Sequence, residues 1–314
     1  MEQVKTSTNV AGIDASKAKL DVAAYGLEGS AVFDNNEPGW RGLAAWLAER
    51  GVGRVGIEAS GGYERGVSAF LRTAGLEVVT HQPAHIRAFA RFKRIKAKND
   101  RLDAAVIAQA TAQTDAVRAA CDPLLVELTD WLTAYEQAAD LVAQLKTMIE
   151  HVVLPELLDQ YQAQLKGLTT WKRALAKDLA RRIRGHPELA RRLALLISLP
   201  GVGPIVAASL VLRMPELGAM SRGQAASLLG VAPFDKDSGK TKGQRHIFGG
   251  RARVRRMVYL AAVIAKRIDP GFKAFAQRLA ATGKKPKVIL VAIMRKLAEA
   301  ANAIIARGTP WVPA

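Results

Sequence analysis

Two aspartates stand three residues apart in the segment KRIKAKNDRLDAAVIA (93–108), directly behind a run of cations. Asp100 and Asp103 project from one face of a predicted helix, and Asp14 and Glu58 each end a predicted strand. Clustered carboxylates repel one another unless a divalent cation lies between them, and oxygen ligands in this number suit Mg²⁺ or Mn²⁺. Two such ions can stabilise the attacking and leaving oxygens of a phosphodiester displacement. The pattern therefore predicts a metal-binding catalytic set.

Each of these acids also has a purely structural interpretation. Asp100 is a plausible helix N-cap, and Asp14 could end a strand and start a turn. The segment 84–98 favours the catalytic interpretation because it contains no acid and would deliver phosphates to the carboxylates. Its basic residues are His85, Arg87, Arg91, Lys93, Arg94, Lys96 and Lys98.

The charge of the chain is uneven along its 314 residues. The net charge is +18, yet residues 1–80 carry eight Lys and Arg against ten Asp and Glu, so the remaining 234 residues carry +20. A nearly neutral head on a basic body predicts a polyanionic partner, and nucleic acid is the first candidate. A basic protein without such a specific partner is the alternative.

Composition excludes several classes of protein. The single cysteine, Cys121, excludes a disulfide framework and a cysteine-based zinc site. No apolar run is long enough to span a membrane, and residues 1–16 lack the apolar centre of a signal peptide. We expect a protein of the bacterial cytoplasm, associated with the nucleoid.

The first 122 residues predict a mixed α/β sheet. Short β-type runs at 9–14 and 20–25 form a hairpin, and further strands are predicted at 31–33, 52–58 and 76–81. Helical spacing follows at 40–50, and the Ala-rich stretch 101–113 predicts another helix. Hairpin strands followed by strand–helix alternation indicate helices packed on a mixed sheet.

Residues 123–185 have a different pattern. Apolar residues step by three and four along one seam, and Pro155 interrupts it before a second helical stretch at about 156–184. The pattern predicts an antiparallel hairpin or coiled-coil arm, and an ordinary amphipathic helix packed on its own domain is equally compatible with the spacing. The seam contains Leu128, Trp131, Tyr135, Ala138, Val142, Leu145, Ile149 and Val152.

Residues 186–314 predict a mostly helical domain with glycine-rich loops. LPGVGPIVAASLVL (199–212) resembles a helix-hairpin-helix, in which Gly201 and Gly203 allow a tight turn and the next helix offers N–H groups to a phosphate. A Gly-Pro loop between core helices is the alternative.

A basic loop containing one serine is predicted at 235–256. It has eight Lys and Arg, two Asp and four Gly, and Ser238 lies inside it. We expect this loop to contact nucleic acid through Lys240, Lys242, Arg245, Arg251 and Arg253. No histidine–aspartate arrangement indicates a triad for Ser238, so a metal or nearby cations would have to ease its deprotonation.

Five segments resemble the DEDD-type transposases of insertion-sequence family 110, relatives of certain site-specific DNA invertases. They occur in the family's order and span nearly the full chain. They are GIDASKAKLDVA (12–23), GIEASGGYERG (56–66), KNDRLDAAVIA (98–108), LPGVGPIVAASLV (199–211) and APFDKDSGKTKGQRHIFGGR (232–251).

The resemblance implies three domains: a ribonuclease H-like domain of the junction-resolvase type (1–122), a coiled-coil arm (123–185) and a helical transposase domain (186–314). It assigns the metal-binding tetrad to Asp14, Glu58, Asp100 and Asp103, and the nucleophile that forms a phosphoserine link with DNA to Ser238. It further implies a structured bridge RNA that selects donor and target DNA, and a tetramer in which the resolvase-like domain of one protomer meets the serine loop of another.

Three alternatives to a recombinase remain open from the residues. A metal-dependent nuclease or Holliday-junction resolvase would keep the tetrad and need no serine. A non-catalytic nucleic-acid-binding protein would bind without needing a divalent metal. GIDASKAKLDV also resembles the first phosphate loop of actin-like sugar kinases, an interpretation that leaves the basic body unexplained.

Overall fold

The computed structural model describes residues 9–27, 29–95, 100–114, 122–234 and 245–312, with the side chains of Asp100 and Arg101 excluded. The chain divides into two compact units, Met1–Ala120 and Cys121–Ala314. Among the helices within these ranges, none combines the length and the apolar character needed to cross a membrane.

The first unit is built on a five-stranded mixed sheet with the order β3-β2-β1-β4-β5. Strand β2 is antiparallel to both β1 and β3, whereas β4 is parallel to both β1 and β5. The elements are β1 (Asn9–Ala15), β2 (Lys19–Ala24), β3 (Ser30–Asp34), α1 (Glu37–Glu49), β4 (Val52–Glu58), α2 (Glu64–Thr73), β5 (Glu77–His81), α3 (Pro83–Phe92) and α4 (Asp100–Ala112). The mixed α/β prediction is confirmed, and the order is consistent with a ribonuclease H-like domain.

Different helices pack on the two faces of the sheet. Alternate residues of the strands, such as Ile13 and Ile57, are fully buried against α1 and α2. On the other face α4 lies directly on the strands: a Cβ at Gly12 would lie 2.2 Å from the carbonyl oxygen of Ala104. Glycine at this position is therefore what lets the helix backbone approach the sheet.

The second unit is almost entirely helical in the residues described. Its elements are α5 (Pro123–Ile149), α6 (Pro155–Arg184), α7 (Pro187–Ile197), α8 (Pro204–Arg213), α9 (Arg222–Leu229), β6 (Pro233–Phe234), β7 (His246–Ile247), α10 (Ala252–Ile268), α11 (Pro270–Ala281) and α12 (Pro286–Arg307). One large apolar core joins residues of α5 and α6 with those of α7 to α12.

Helices α5 and α6 form an antiparallel hairpin. Arg182, near the end of α6, pairs with Glu127 near the start of α5 at 3.1 Å, and its guanidinium lies over the Trp131 ring. Half of the predicted seam is buried, including Val142 and Leu145. The base of the hairpin belongs to the core of the second unit, and a separate coiled-coil arm with a boundary at 185 stays a prediction.

One boundary in the second unit was predicted wrongly. The predicted loop 235–256 ends earlier, because α10 begins at Ala252 and its first turns contain Arg253, Arg255 and Arg256. The cations suggested a solvated loop, but three of the next residues, Val254, Val258 and Ala261, are buried on one helical face.

Candidate active site

Three carboxylate residues lie on the α4 side of the sheet at one edge. Asp14 is the last residue but one of β1, and Glu58 is the last residue of β4. Asp21 lies in β2. Each is a strand position that alternates with residues of the α1–α2 core, so its side chain projects to the opposite face. Two strand ends therefore present acids to the same side, as the sequence predicted.

The strand register brings these acids close together. Asp14 and Asp21 are direct partners across the antiparallel pair β1–β2, a position in which Cβ atoms are about 5 Å apart. Ile13 and Ile57 are partners in the parallel pair β1–β4. Asp14 and Glu58 are the next residue on each strand, so they lie side by side in the register. Like charges directly opposite one another are destabilising unless a cation compensates them.

The sequence reasoning did not select Asp21. Its signal was available, since Asp21 follows Asp14 by an odd number of residues across a short turn, and the hairpin partners Ala15 and Leu20 set the register. A strand alternation count in KLDVAA, with Leu20 and Val22 buried, would have placed Asp21 beside Asp14.

Helix α4 brings the predicted aspartate pair to this face. It spans Asp100–Ala112, which confirms that both aspartates lie on one helix, and Asp103 precedes the residue whose carbonyl contacts Gly12. Asp103 is half-buried, and the side chain of Asp100 lies outside the described residues. The backbone thus places both aspartates on the helix that covers Asp14 and Glu58.

The donor set suits a hard divalent ion. All four predicted ligands are carboxylates, the type of oxygen donor that Mg²⁺ and Mn²⁺ prefer. Within the described part of the chain, no three acidic, histidine or cysteine side chains approach closely enough to hold a metal. The described ligands Asp14, Glu58 and Asp103 therefore do not form a metal site by themselves, and the tetrad that includes Asp100 stays a prediction.

A buried histidine anchors the other end of α4. His81 Nε2 lies 2.8 Å from Thr111 Oγ1, and the Thr111 hydroxyl donates to the Ile107 carbonyl at 2.6 Å. Since that hydroxyl proton is engaged, His81 Nε2 is the donor in their contact. Burial, with a smaller contribution from His85, lowers the pKa of His81 below its ordinary value and keeps the ring neutral.

The turn after Glu58 is organised by a second glutamate. Glu64 accepts hydrogen bonds from the backbone N–H groups of Ser60 (3.0 Å) and Gly62 (2.9 Å) and from the Ser60 hydroxyl. Burial raises the pKa of Glu64, but these hydrogen bonds outweigh it and the net pKa is lowered. The charged carboxylate therefore holds the loop that follows Glu58.

Part of the predicted basic segment is described. Arg91 and Arg94 are exposed and Lys93 is half-buried at the end of α3, on the chain that leads to α4. Lys96 and Lys98 lie outside the described residues. The order of elements agrees with a cationic approach to the acids, and the role of these residues in nucleic-acid binding stays a prediction.

The serine loop is described at its base. Ser238, Lys240 and Lys242 lie outside the described residues, but β6 and β7 pair on either side of them, with Phe234 opposite His246. Arg245 lies exposed next to β7.

The base of the loop, which we call the loop stem (229–234 and 245–251), is held together by close contacts between glycine backbones. A Cβ at Gly250 would lie 2.3 Å from the nitrogen of Gly230, and Arg255 donates to the Gly249 carbonyl at 2.6 Å. The backbone of Arg251 donates to the Leu228 carbonyl at 2.9 Å. These contacts hold the two ends of the stem together.

Arg251 and Arg253, predicted to bind nucleic acid, make ion pairs within the chain. Arg251 forms a two-pronged pair with Glu216 at 2.6 and 2.7 Å and also donates to the Arg213 carbonyl. Arg253 pairs with Glu136, which in turn pairs with the buried Arg213 at 3.0 Å. The sequence pattern could not show these partners because all three lie at least 35 residues away.

The turn between α7 and α8 contains both predicted glycines. Gly201 has φ +78°, and a Cβ there would lie 2.3 Å from the Ala261 carbonyl, so this glycine is needed for packing on α10. Gly203 is the N-cap of α8, and nothing lies within 4 Å of the position its Cβ would take. Of the two, Gly203 has the space for a ligand, and phosphate binding at either stays a prediction.

Comparison with known proteins gives two family matches. The model of the DEDD transposases of IS110 matches residues 11–162, and the model described as transposase IS116/IS110/IS902 family matches residues 193–277.

Curated relatives agree with these matches. The pilin gene-inverting proteins of Moraxella bovis and Moraxella lacunata are each 26% identical to the chain over 325 residues, covering 96% of both sequences. A 43.6 kDa protein of insertion element IS110 from Streptomyces coelicolor is 27% identical over 160 residues, which is 50% of this chain and 38% of that protein.

Proposed function

Because this chain belongs to the IS110 family of transposases and is a DNA-recombining enzyme, we propose that it cuts and rejoins DNA through a covalent bond between Ser238 and a DNA phosphate. The observation that supports a phosphodiester site most directly is the placement of Asp14, Asp21 and Glu58 on one face at one sheet edge, under the helix that contains Asp103. Acids on one face of adjacent strands are expected where a cation and a phosphate bind.

The proposed step conserves the energy of the phosphodiester. The Ser238 oxygen forms a bond to phosphorus as its hydroxyl proton is lost, and the bond to the leaving DNA oxygen breaks as that oxygen takes up a proton. The reverse attack by another DNA end forms a new diester and frees the serine. No ATP is required because one phosphate ester replaces another at each step.

We assign metal binding to Asp14, Glu58, Asp100 and Asp103, with Mg²⁺ or Mn²⁺ as the ion. A divalent ion there would supply charge compensation for the phosphate and lower the pKa of a coordinated hydroxyl. The protein's own contribution is to hold the carboxylates on a sheet edge and a helix, where their positions do not depend on a loop.

The partners we propose are donor and target DNA, a structured bridge RNA and further copies of the chain. The +20 charge of residues 81–314 supports a nucleic-acid partner. The acids lie in one compact unit and the serine loop in the other, which supports a composite site that forms when protomers assemble as a tetramer. A lone protomer would then not cut DNA at random.

The test uses Ser238→Ala, with Ser227→Ala in α9 as a control because Ser227 is an exposed serine of the same unit. We expect Ser238→Ala to abolish recombination and the protein–DNA adduct seen by denaturing electrophoresis, while DNA binding is unchanged. Recombination at the wild-type rate by Ser238→Ala would rule out the nucleophile.

The carboxylates are also compatible with a second function, that of a metal-dependent nuclease or junction resolvase that uses water as the nucleophile. Its support is that Asp14, Asp21 and Glu58 lie on adjacent strands of the first unit, where their placement does not depend on the serine loop. Cleavage by the wild-type protein without any adduct, and retained by Ser238→Ala, would favour this hydrolytic enzyme over the serine mechanism.

A further inference from the structure

The C-terminal end of α3 exposes an aromatic ring. One face of α3 packs on α4, with Ile86 buried and Phe89 partly buried against Val106 and Ile107. Phe92, three residues after Phe89, is 79% exposed. A single exposed apolar side chain is ordinary on a protein surface, so this ring matters only if its surroundings indicate a ligand.

The chain around Phe92 is held by a tight helix-ending turn. The N–H of Arg94 donates to the Arg91 carbonyl and the N–H of Ile95 to the Ala90 carbonyl, each at 3.0 Å, and Ile95 packs back on the α3–α4 cluster. Arg94 has φ +57°, and it is the only non-glycine residue in the described ranges with a positive φ. Glycine would adopt this conformation without steric cost. The chain therefore keeps a charged residue at a position where glycine would be less strained.

The cations in the last turns of α3 lack acidic partners within the described ranges. The guanidinium groups of Arg87 and Arg91 donate to carbonyls of their own helix, and no carboxylate there pairs with them, with Lys93 or with Arg94. The Lys93 ammonium lies 5.6 Å from the Phe89 ring and 5.9 Å from the Phe92 ring. An exposed ring with a cation beside it and further cations close by in the chain is an arrangement suited to a base and its adjoining phosphates.

We propose that Phe92 stacks on an unpaired base of a nucleic-acid strand whose phosphates are bound by the cations beside it. The proposal rests on the proposed function in taking nucleic acid as the ligand, and it adds that the strand is unpaired where it meets α3. The local cations Arg87, Arg91, Lys93 and Arg94 favour a polyanion over a second copy of the chain at this surface.

The test measures binding of labelled oligonucleotides by fluorescence anisotropy in EDTA and in the Ser238→Ala background, so that cleavage chemistry plays no part. The probes are single-stranded DNA, single-stranded RNA and a fully paired DNA duplex. We expect Phe92→Ala to weaken binding of one or both single strands by about tenfold, since stacking contributes roughly that factor per base. Binding of the duplex stays the same, and Phe92→Trp retains the affinity.

Salt dependence separates stacking from charge. Phe92→Ala leaves the slope of affinity against salt unchanged, because a ring releases no counterions, whereas Arg91→Gln lowers that slope by about one on every probe. The control is Tyr25→Ala, which removes another exposed aromatic of the same unit, at the opposite end of β2 from Leu20 and Asp21. It should bind every probe as wild type does.

Three results would overturn the proposal. They are unchanged binding of both single strands by Phe92→Ala, an equal loss on single strands and duplex, and a change in the mass of the assembly by light scattering, which would make Phe92 a subunit contact. A loss of recombination by Ser238→Ala with no effect of Phe92→Ala would reject the stacking and keep the proposed function.

Discussion

The acidic face of the first unit and the stem of the serine loop in the second are held by different kinds of contact. Under α4, the backbone of the helix lies on Gly12, and Thr111 lies against Gly56, where a Cβ would be 1.8 Å from its hydroxyl oxygen. At the stem, the contacts are glycine backbones and arginine pairs, such as Arg251 with Glu216.

This difference shows where each half of the proposed site is sensitive. Close backbone packing tolerates salt and charge substitutions but no added volume. Ion pairs tolerate changes of volume nearby, but the loss of one charge leaves the other unpaired. The two halves should therefore fail under different substitutions.

The largest effect should follow from adding one methyl group under α4. In Gly12→Ala the new Cβ would lie 2.2 Å from the Ala104 carbonyl oxygen and 2.3 Å from the Ala108 nitrogen, both backbone atoms that cannot rotate away. We expect a loss of about 3 kcal/mol or more in the free energy of unfolding of the first unit, and loss of recombination, since α4 must lift from the sheet. Denaturant unfolding measures the first and a recombination assay the second.

Gly42→Ala is the matched control in the same unit. Gly42 lies inside α1, and its Cβ would make ordinary contact with the Phe33 ring at 3.5 Å. Alanine there should stabilise the helix by about 0.5–1 kcal/mol. Equal stability of Gly12→Ala and wild type would show that α4 does not rest on the sheet as described.

The second unit should respond most to removal of one buried charge. Glu136 and Arg213 are each 11% exposed in their side chains and pair at 3.0 Å, and Arg253 shares the same carboxylate. Glu136→Gln leaves the Arg213 guanidinium without its counter-charge, and we expect a loss of about 3 kcal/mol in the free energy of unfolding. Urea denaturation followed by circular dichroism measures it.

The exposed pair Arg191–Glu188 provides the comparison. Its atoms are 4.0 Å apart and its side chains 63% and 70% exposed, so Glu188→Gln should change stability by less than about 0.5 kcal/mol. Similar effects of the two substitutions would show that burial of the Glu136 pair does not determine its contribution.

The regular elements of the first unit could be predicted well from the sequence. Strand alternation and the hairpin between β1 and β2 gave bounds within a residue or two of those observed, because each strand has one face buried against α1 and α2. The spacing of Asp100 and Asp103 likewise predicted their common helix. Local pattern was sufficient wherever a local period determines the structure.

The contacts between distant segments could not be predicted in this way. The partners of Arg251 and Arg253 are separated from them by 35 and 117 residues, so no local pattern could show them. A basic run gives the same sequence signal whether its charges meet nucleic acid or a glutamate from another helix. Tertiary structure alone distinguishes the two.

The smallest of the three effects should come from the one titratable group in the anchor of α4. Burial lowers the pKa of His81, so below pH 6.5 the unfolded chain takes up a proton that the folded unit does not. The unfolded state then binds more protons, and the stability of the first unit falls as pH is lowered from 6.5 towards the folded pKa, by at most about 1.4 kcal/mol per pH unit. Thermal unfolding across this range measures the slope.

His81→Gln should flatten that slope, because its amide can donate to Thr111 but does not titrate in this range. His151→Gln, in the turn after α5 of the second unit, is the control and should leave the slope of the first unit unchanged. If His81→Gln keeps the wild-type slope, another group is responsible for the pH dependence, and the packing of α4 on the sheet does not depend on the protonation of His81. If it flattens the slope, the contact between His81 and Thr111 makes the packing of α4 sensitive to pH, and the contrast with the charged stem is then one of degree.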